Sequence, residues 1–253
     1  MKLVNALYVV AIGCVLSTVS IAQSRDTPKP RFKAVAFDYF VIFDPNSIIP
    51  FVEKEFPGKG AEFTRTWQRK QFDYAFLRSI TGQFKDFLEV TGDAMDYTAD
   101  WMNISMSADA RTRLLNAYLK LKPWPDTVRV LNELRASGIK IITIANFSPR
   151  MLRSNADNAG ITDLFDELLS TEASGTYKPD AMAYELGLKH LHLKKDEVVF
   201  AAFGSWDVYG AKSFGYPTFW VNRFNVPGEK LGVEPDGKST GLDGLLDFVL
   251  RKE

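Results

Sequence analysis

Cysteine is almost missing from this chain: Cys14 is the only one, and it lies in an N-terminal apolar stretch. A chain processed past residue 22 would hold none. Disulfides and a thiol nucleophile are thereby excluded from its chemistry. Histidine is scarce as well. His190 and His192 sit in "LKHLHLKKDE" at strand-like or turn spacing, far from other ligands. They read as surface or packing residues, not as a metal pair. No charge of one sign dominates: Lys+Arg and Asp+Glu both number 31, without a basic tail or an acidic tract. Nucleic acid and acidic membrane surfaces therefore find no support as partners. Internal repeats and low-complexity tracts are absent.

What is present begins with "MKLVNALYVVAIGCVLSTVSIAQSRDTPKP". One early lysine precedes an uncharged apolar stretch from Leu3 to Ala22, which closes on "SIA". The small residues at the first and third of these positions point to a secretory signal peptide cut after Ala22. Two alternatives stay open. A stretch of about 20 apolar residues just spans a bilayer, so an uncleaved anchor is one. Lipidation at Cys14 is the other, although "AIGC" is a loose match because the apolar run continues past it. The expected location is secreted or periplasmic, with no stable membrane span after processing.

The remainder is long and apolar enough, at 46% hydrophobic residues overall, to bury the core of one large domain or of a domain with an insert. Residues 33–37, KAVAF, read as a buried parallel strand. Residues 48–122 read as helical throughout. Phe63, Trp67, Phe72, Phe76 and Ile80 fall at helical spacings, and Ser107 caps a second segment. Trp67, Phe72, Phe76 and Trp101 are expected to form the core of this helical part, with pocket lining by about one in three of them as the alternative. After "KPWPD" the texture changes. A helix stopped by Gly138, the strand "IKIITIAN" and a helix capped by Ser148 with Pro149 first follow in turn. "FDELLST" and "DEVVFAAFG" give strands, "DVYGAKSFG" a helix and "PTFWVNR" a final strand, followed by a Gly/Pro-containing loop. This alternation predicts an α/β fold: a Rossmann-like parallel sheet core with an inserted helical cap domain. The core is expected over residues 33–46 and 123–253, the cap over 47–122, and a linker over 23–32.

Asp38, Asn146 with Ser148, Lys178 and Asp207 all fall at or just after the C-terminal ends of strands. Parallel strands bring those ends together, and ligands bind there. Each residue taken alone is as well explained as a turn or cap. Their joint occurrence argues for a site. An aspartate beside a lysine ammonium is favoured in its charged form. Such a carboxylate can attack an electrophilic carbon or phosphorus to form an ester, which water then cleaves.

These stretches resemble the haloacid dehalogenase superfamily, and within it the type II group, the L-2-haloacid dehalogenases. "FDYFVIFD" resembles the first motif, with Asp38 in the nucleophile position; "IANFSPRML" resembles the second; "YKPDAMAYELG" resembles the third, with Lys178 and Tyr184; "SWDVYGAKSFGYPTFWVNR" resembles the fourth, with Asp207. The resemblance implies metal-independent displacement of halide from C2 of a short 2-haloacid with inversion. It gives catalytic roles to Asp38, Lys178 and Asp207, and substrate contacts to Asn146 and Tyr184. It also implies a homodimer. Superfamily phosphatases carry a second aspartate two residues after the nucleophile, where this chain has Phe40. Phe40 can transfer no proton, and with Trp206 beside Asp207 the site reads as too apolar for magnesium. No cofactor and no metal are expected. Phe40 and Trp206 are expected to line the pocket.

Several positions depart from the family pattern. Ile42 and Val41 replace a threonine and a glycine after the nucleophile. Gln68 stands where the family has its arginine, with Arg69 one place later; Ala145, Ala202 and Gly204 replace two serines and an asparagine. Arg69 and Ser205 are the expected substitutes for the lost arginine and asparagine. A hydrolase acting on a 2-haloacid or related carboxylate is the favoured reading. A non-enzymatic member that binds a small carboxylate is the alternative.

Overall fold

The computed structural model describes residues 31–251. The signal peptide read in residues 1–22 and residues 23–30 of the linker lie outside them.

The chain enters through β1 (Ala34–Phe37) and a single helical turn, α1 (Tyr39–Ile42), and leaves the core through β2 (Phe43–Asp44). Four helices follow: α2 (Ile49–Glu55), α3 (Gly60–Thr81), α4 (Phe87–Trp101) and α5 (Ala108–Ala117). The return runs through β3 (Lys122–Pro123), α6 (Thr127–Ala136), β4 (Lys140–Ala145), α7 (Pro149–Ala159), β5 (Glu167–Ser170) and α8 (Ala181–Leu191). β6 (Val198–Ala202), α9 (Ser205–Phe214), β7 (Thr218–Val221), β8 (Gly237–Ser239) and α10 (Leu242–Leu250) complete it. The large sheet has the order β5-β4-β1-β6-β7-β8. Every pairing within it is parallel. This is the α/β architecture that the alternating pattern predicts.

β1 is central, with β4 and β6 on its two sides, and all four of its residues are buried. A strand covered on both faces must be apolar throughout, which explains AVAF. The ends of β1 and β6 lie in register, so the Asp38 amide donates to Ala201 O at 2.9 Å. β2 and β3 pair antiparallel as a short ribbon where the chain leaves the core and comes back. Asp44 turns the chain there by accepting from the Asn46 amide at 2.8 Å.

Local signals placed several helix ends. Ser107 and Ser148 accept from the amides of Ala110 and Met151, as N-caps do. Gly138, at φ +77°, takes the left-handed conformation past the end of α6 that other residues enter at a cost. Packing within α3 differs from the expected series. Phe63, Trp67, Gln71 and Ala75 form the buried stripe, at a spacing of four residues. Phe72 and Phe76 lie on the neighbouring face against Trp206 of α9, and Ile80 is 83% exposed. Trp101, at the end of α4, is 69% exposed and so is not part of the cap's core. For Phe72 and Phe76 the reason is the helix period: steps of four keep one face, while the step of five from Trp67 to Phe72 shifts to the next. "PTFWVNR" is not the last strand, because β8 and α10 follow its loop. β8 is three residues long and carries Gly, Lys and Ser, which hides it from an apolar pattern.

Candidate active site

The C-terminal ends of β1, β4 and β6, together with the turn before α8, bring the charged residues together. Asp38 follows β1 and caps α1: its Oδ1 accepts from the Phe40 amide at 2.8 Å. Its Oδ2 faces Lys178 Nζ at 2.6 Å. Lys178 is wholly buried, and the same ammonium donates to Asp207 Oδ2 at 2.6 Å. Asp207, on the first turn of α9 and also wholly buried, accepts from the Tyr184 hydroxyl at 2.6 Å through its other oxygen. One ammonium therefore bridges two carboxylates, and one phenol completes the shell of the deeper one.

Burial pushes the Asp207 carboxyl up to about 7; Lys178 pulls against this, and the charge on Asp38 adds to it. Burial alone would drive the Lys178 ammonium towards neutrality, but Asp207 and Asp38 outweigh it and hold Lys178 above its ordinary value. The Tyr184 hydroxyl is pushed well above the ordinary phenol range by burial and by Asp207, so it is a donor at any working pH.

The neighbouring groups divide between positioning and exposure. Asn146, after β4, uses its Oδ1 to accept from the Lys178 amide at 2.9 Å and from Thr171 Oγ1 at 3.2 Å. Among the described residues its Nδ2 is buried without a hydrogen-bond partner, an unsatisfied donor beside the charged centre. Phe40 is 6% exposed, packed edge-on against Phe147 at 5.2 Å and tilted against Phe203 at 5.6 Å. Trp206 meets Phe72 and Phe76 of the cap at 5.4 and 5.3 Å, and Lys178 Nζ lies 5.8 Å from its ring. A Cβ at position 204 would stand 2.5 Å from Trp206 Nε1. Glycine there is what allows the indole to fold over its own loop. A cleft of about 470 Å³ between the end of α3 and α9, lined by Phe76, Ile80, Tyr209 and Leu231, meets the site at Trp206 and Pro179.

Three residues expected to contact substrate have protein partners instead. Arg69 has 81% of its side chain exposed and pairs with Asp73 on its own helix at 3.3 Å. A step of one residue turns the helix by about 100°, and that step carries Arg69 away from the site. Gln68 points inward instead, donating to Pro45 O at 2.8 Å. Ser205 donates to Glu229 at 3.2 Å in an exposed bond, so it does not replace the side chain lost at Gly204. Tyr184 is wholly buried and its hydroxyl donates to Asp207, so it supports the acid. Three residues to which the sequence reading gave no role brace the nucleophile turn from behind: Trp124, Thr127 and Arg223, the last of them closing the fourth motif stretch. "KPWPD" marks a change of texture in the sequence, but nothing in it shows where its indole points.

The donor set does not suit a divalent cation. Among the described residues no group of three or more His, Cys, Asp or Glu is disposed to hold a metal. Both carboxylates of the site already face the same ammonium. Both histidines are exposed at the end of α8.

Residues 32–215 match the family described as haloacid dehalogenase-like hydrolase. Haloacetate dehalogenase H-2 of Moraxella sp. (strain B) is 34% identical over 220 residues, covering 87% of this chain and 98% of that protein. The (S)-2-haloacid dehalogenase of Pseudomonas sp. (strain YL) is 35% identical over 217 residues, covering 85% and 94%. Among solved structures, the L-2-haloacid dehalogenase of Xanthobacter autotrophicus with chloropropionic acid covalently bound superposes with a TM-score of 0.81 at 30% identity, covering 86% of this chain and 98% of that one.

Proposed function

The chain belongs to the haloacid dehalogenase-like hydrolase family, and on that premise we propose that it is a 2-haloacid dehalogenase of the (S)-specific type. One observation carries the reading: a strand-end carboxylate, Asp38, lies 2.6 Å from a fully buried ammonium that Asp207 and Tyr184 hold from behind. Asp38 attacks C2 of the haloacid, and the carbon–halogen bond breaks with its electron pair leaving on the halide. An ester joins Asp38 to C2, with inversion at that carbon. Water then adds to Cγ of Asp38, the acyl–oxygen bond breaks, and the 2-hydroxyacid leaves with its new configuration intact. The water supplies one oxygen and one hydrogen to the regenerated pair of products, and one proton is released.

Lys178 neutralises the nucleophile until substrate arrives, and Asp207 shares that ammonium so that Asp38 is not held too tightly. Phe40 and Trp206 supply a dry wall. The free Nδ2 of Asn146 is the donor available to the halide or the carboxylate. No step requires a metal. The poor donor set supports metal-independence, and unchanged turnover after chelation checks it. The alternative of a carboxylate-binding protein without chemistry rests on the departures at positions 42, 68, 145, 202 and 204; the assembled charged centre and the 34–35% identity to haloacid dehalogenases weigh against it.

The test is direct. The protein is incubated with 2-chloropropionate, and halide release and intact mass are followed for wild type and Asp38→Asn. Wild type should release halide, and Asp38→Asn should lose roughly 10⁴-fold or more of the rate, the scale seen when a nucleophile is removed. Absence of halide and of any covalent adduct in wild type would favour the binding reading. Export belongs to the same proposal. A cut after Ala22 would place a thiol-free enzyme in the periplasm or beyond, and exported protein should start at Gln23 on N-terminal sequencing. Assembly through the apolar cap surface that includes Leu77 and Ile80, 58% and 83% exposed, is checked by sedimentation.

A further inference from the structure

We propose that Trp124 and Arg223 are positioning residues for the nucleophile, supplying from the backbone side the restraint that position 42 cannot give. The proposal rests on Asp38 being the attacking group. Ile42 is wholly buried, and its side chain has no polar atom with which to hold the Asp38 carboxylate. Apart from Lys178, the group that orients this carboxylate is the Phe40 amide, at 2.8 Å from Oδ1. That amide belongs to α1, a helix of four residues. One turn fixes several dihedrals for a single backbone bond and is not stable alone. The orientation of Asp38 therefore depends on whatever holds α1.

Three consecutive carbonyls of that turn are held from outside it. Phe40 O accepts from Trp124 Nε1 at 2.9 Å. Val41 O accepts from Arg223 Nη2 at 3.1 Å. Ile42 O accepts from the Trp124 amide at 3.0 Å and from Thr127 Oγ1 at 2.9 Å. Phe40 is thus gripped at both ends, with its N–H on the nucleophile and its C=O on the indole. The brace is itself fixed. Arg223 grips Asp126 through two bonds of 2.7 and 2.9 Å, and its guanidinium lies 4.9 Å from the centre of the Trp124 ring. Asp126 Oδ2 also accepts from the Leu242 amide at 2.8 Å. The returning chain after β3, the loop after β7 and the start of α10 converge in this way on one helical turn. Among the described residues Arg223 Nε is buried without a partner, so this site tolerates an orphaned donor to keep the guanidinium in place.

Trp124→Phe removes the indole N–H and keeps a ring beside Arg223. Halide release in the first turnover should slow by about tenfold, the low end of what supporting hydrogen bonds cost elsewhere, with KM unchanged within about twofold. Arg223→Gln should act in the same direction. Adding Ile42→Thr to Trp124→Phe should recover part of the rate, because a hydroxyl there can hold the carboxylate directly. A purely structural role predicts the reverse, since a buried hydroxyl would weaken the core further. A first-turnover rate within twofold of wild type for Trp124→Phe, or a further loss on adding Ile42→Thr, overturns the proposal. Should wild type release no halide at all, the functional reading fails. The brace is then read from the ¹H–¹⁵N resonance of Phe40, whose proton should move upfield in Trp124→Phe as its bond to Asp38 lengthens. An unmoved resonance overturns the positioning role.

Discussion

At the scale of single residues, the chemistry turns on an unequal count of charges: Lys178 faces two carboxylates. An ammonium with two partners binds each less tightly than it would bind one. As pH falls through about 7, Asp207 takes up its proton, since burial has raised it to that range. Lys178 is then left with Asp38 alone, the pair tightens, and the nucleophile is blunted. Halide release should therefore decline below about pH 7. The Tyr184 hydroxyl holds Asp207 down, so Tyr184→Phe should move this acid limb to higher pH in a pH–rate profile. An acid limb that stays in place would show that Asp207 is not the titrating group. Lys178→Met tests the same centre through stability. It leaves two carboxylates without their counter-ion, and removing one partner of a buried pair costs about 3–5 kcal/mol. A urea midpoint equal to that of wild type would contradict this. Asp38, Lys178 and Asp207 were legible in the sequence because each follows an apolar strand or a Gly/Ser turn within a few residues. The role of Tyr184 was not, because spacing on α8 places the ring but does not say which atom its hydroxyl meets.

At the scale of elements, α3 carries the largest difference between pattern and structure. Its apolar residues occupy two faces, one turned to the cap's own core and one to α9, and the sequence does not separate them. The same rotation decides the fate of the two candidates for the missing arginine. Arg69 lies on the solvent side, where an exposed pair contributes little. Arg69→Ala should leave kcat and KM within about twofold of wild type in steady-state assays. Gln68 lies on the inward side. Gln68→Arg would place an always-charged fork there, and kcat/KM for 2-chloropropionate should rise by about tenfold; no gain would show that Gln68 does not face the substrate. The capped ends of α5 and α7 were readable because a serine side chain reaches its own helix within three residues. The brace of Trp124 and Arg223 was not, because its partners are 84 and 182 residues away in sequence.

At the scale of the whole molecule, the parallel sheet does most of the work. It brings Asp38, Asn146 and Asp207 to the same end, from strands that neighbour one another in the order β4-β1-β6. The helical insert closes over this end: the Tyr177 amide donates to Ser79 Oγ at 3.0 Å, and Phe72 and Phe76 pack on Trp206. Water is limited at the attacking carboxylate, whose side chain is 12% exposed. In the proposed reaction Asp38 itself becomes the ester, so that water attacks the aspartate and not the substrate carbon. A single turnover of 2-chloropropionate in ¹⁸O-water, with enzyme in excess, separates the two routes. Heavy oxygen should enter the peptide containing Asp38 while the hydroxyl of the product stays unlabelled. Heavy oxygen in the product hydroxyl, with an unlabelled Asp38 peptide, would contradict the ester route.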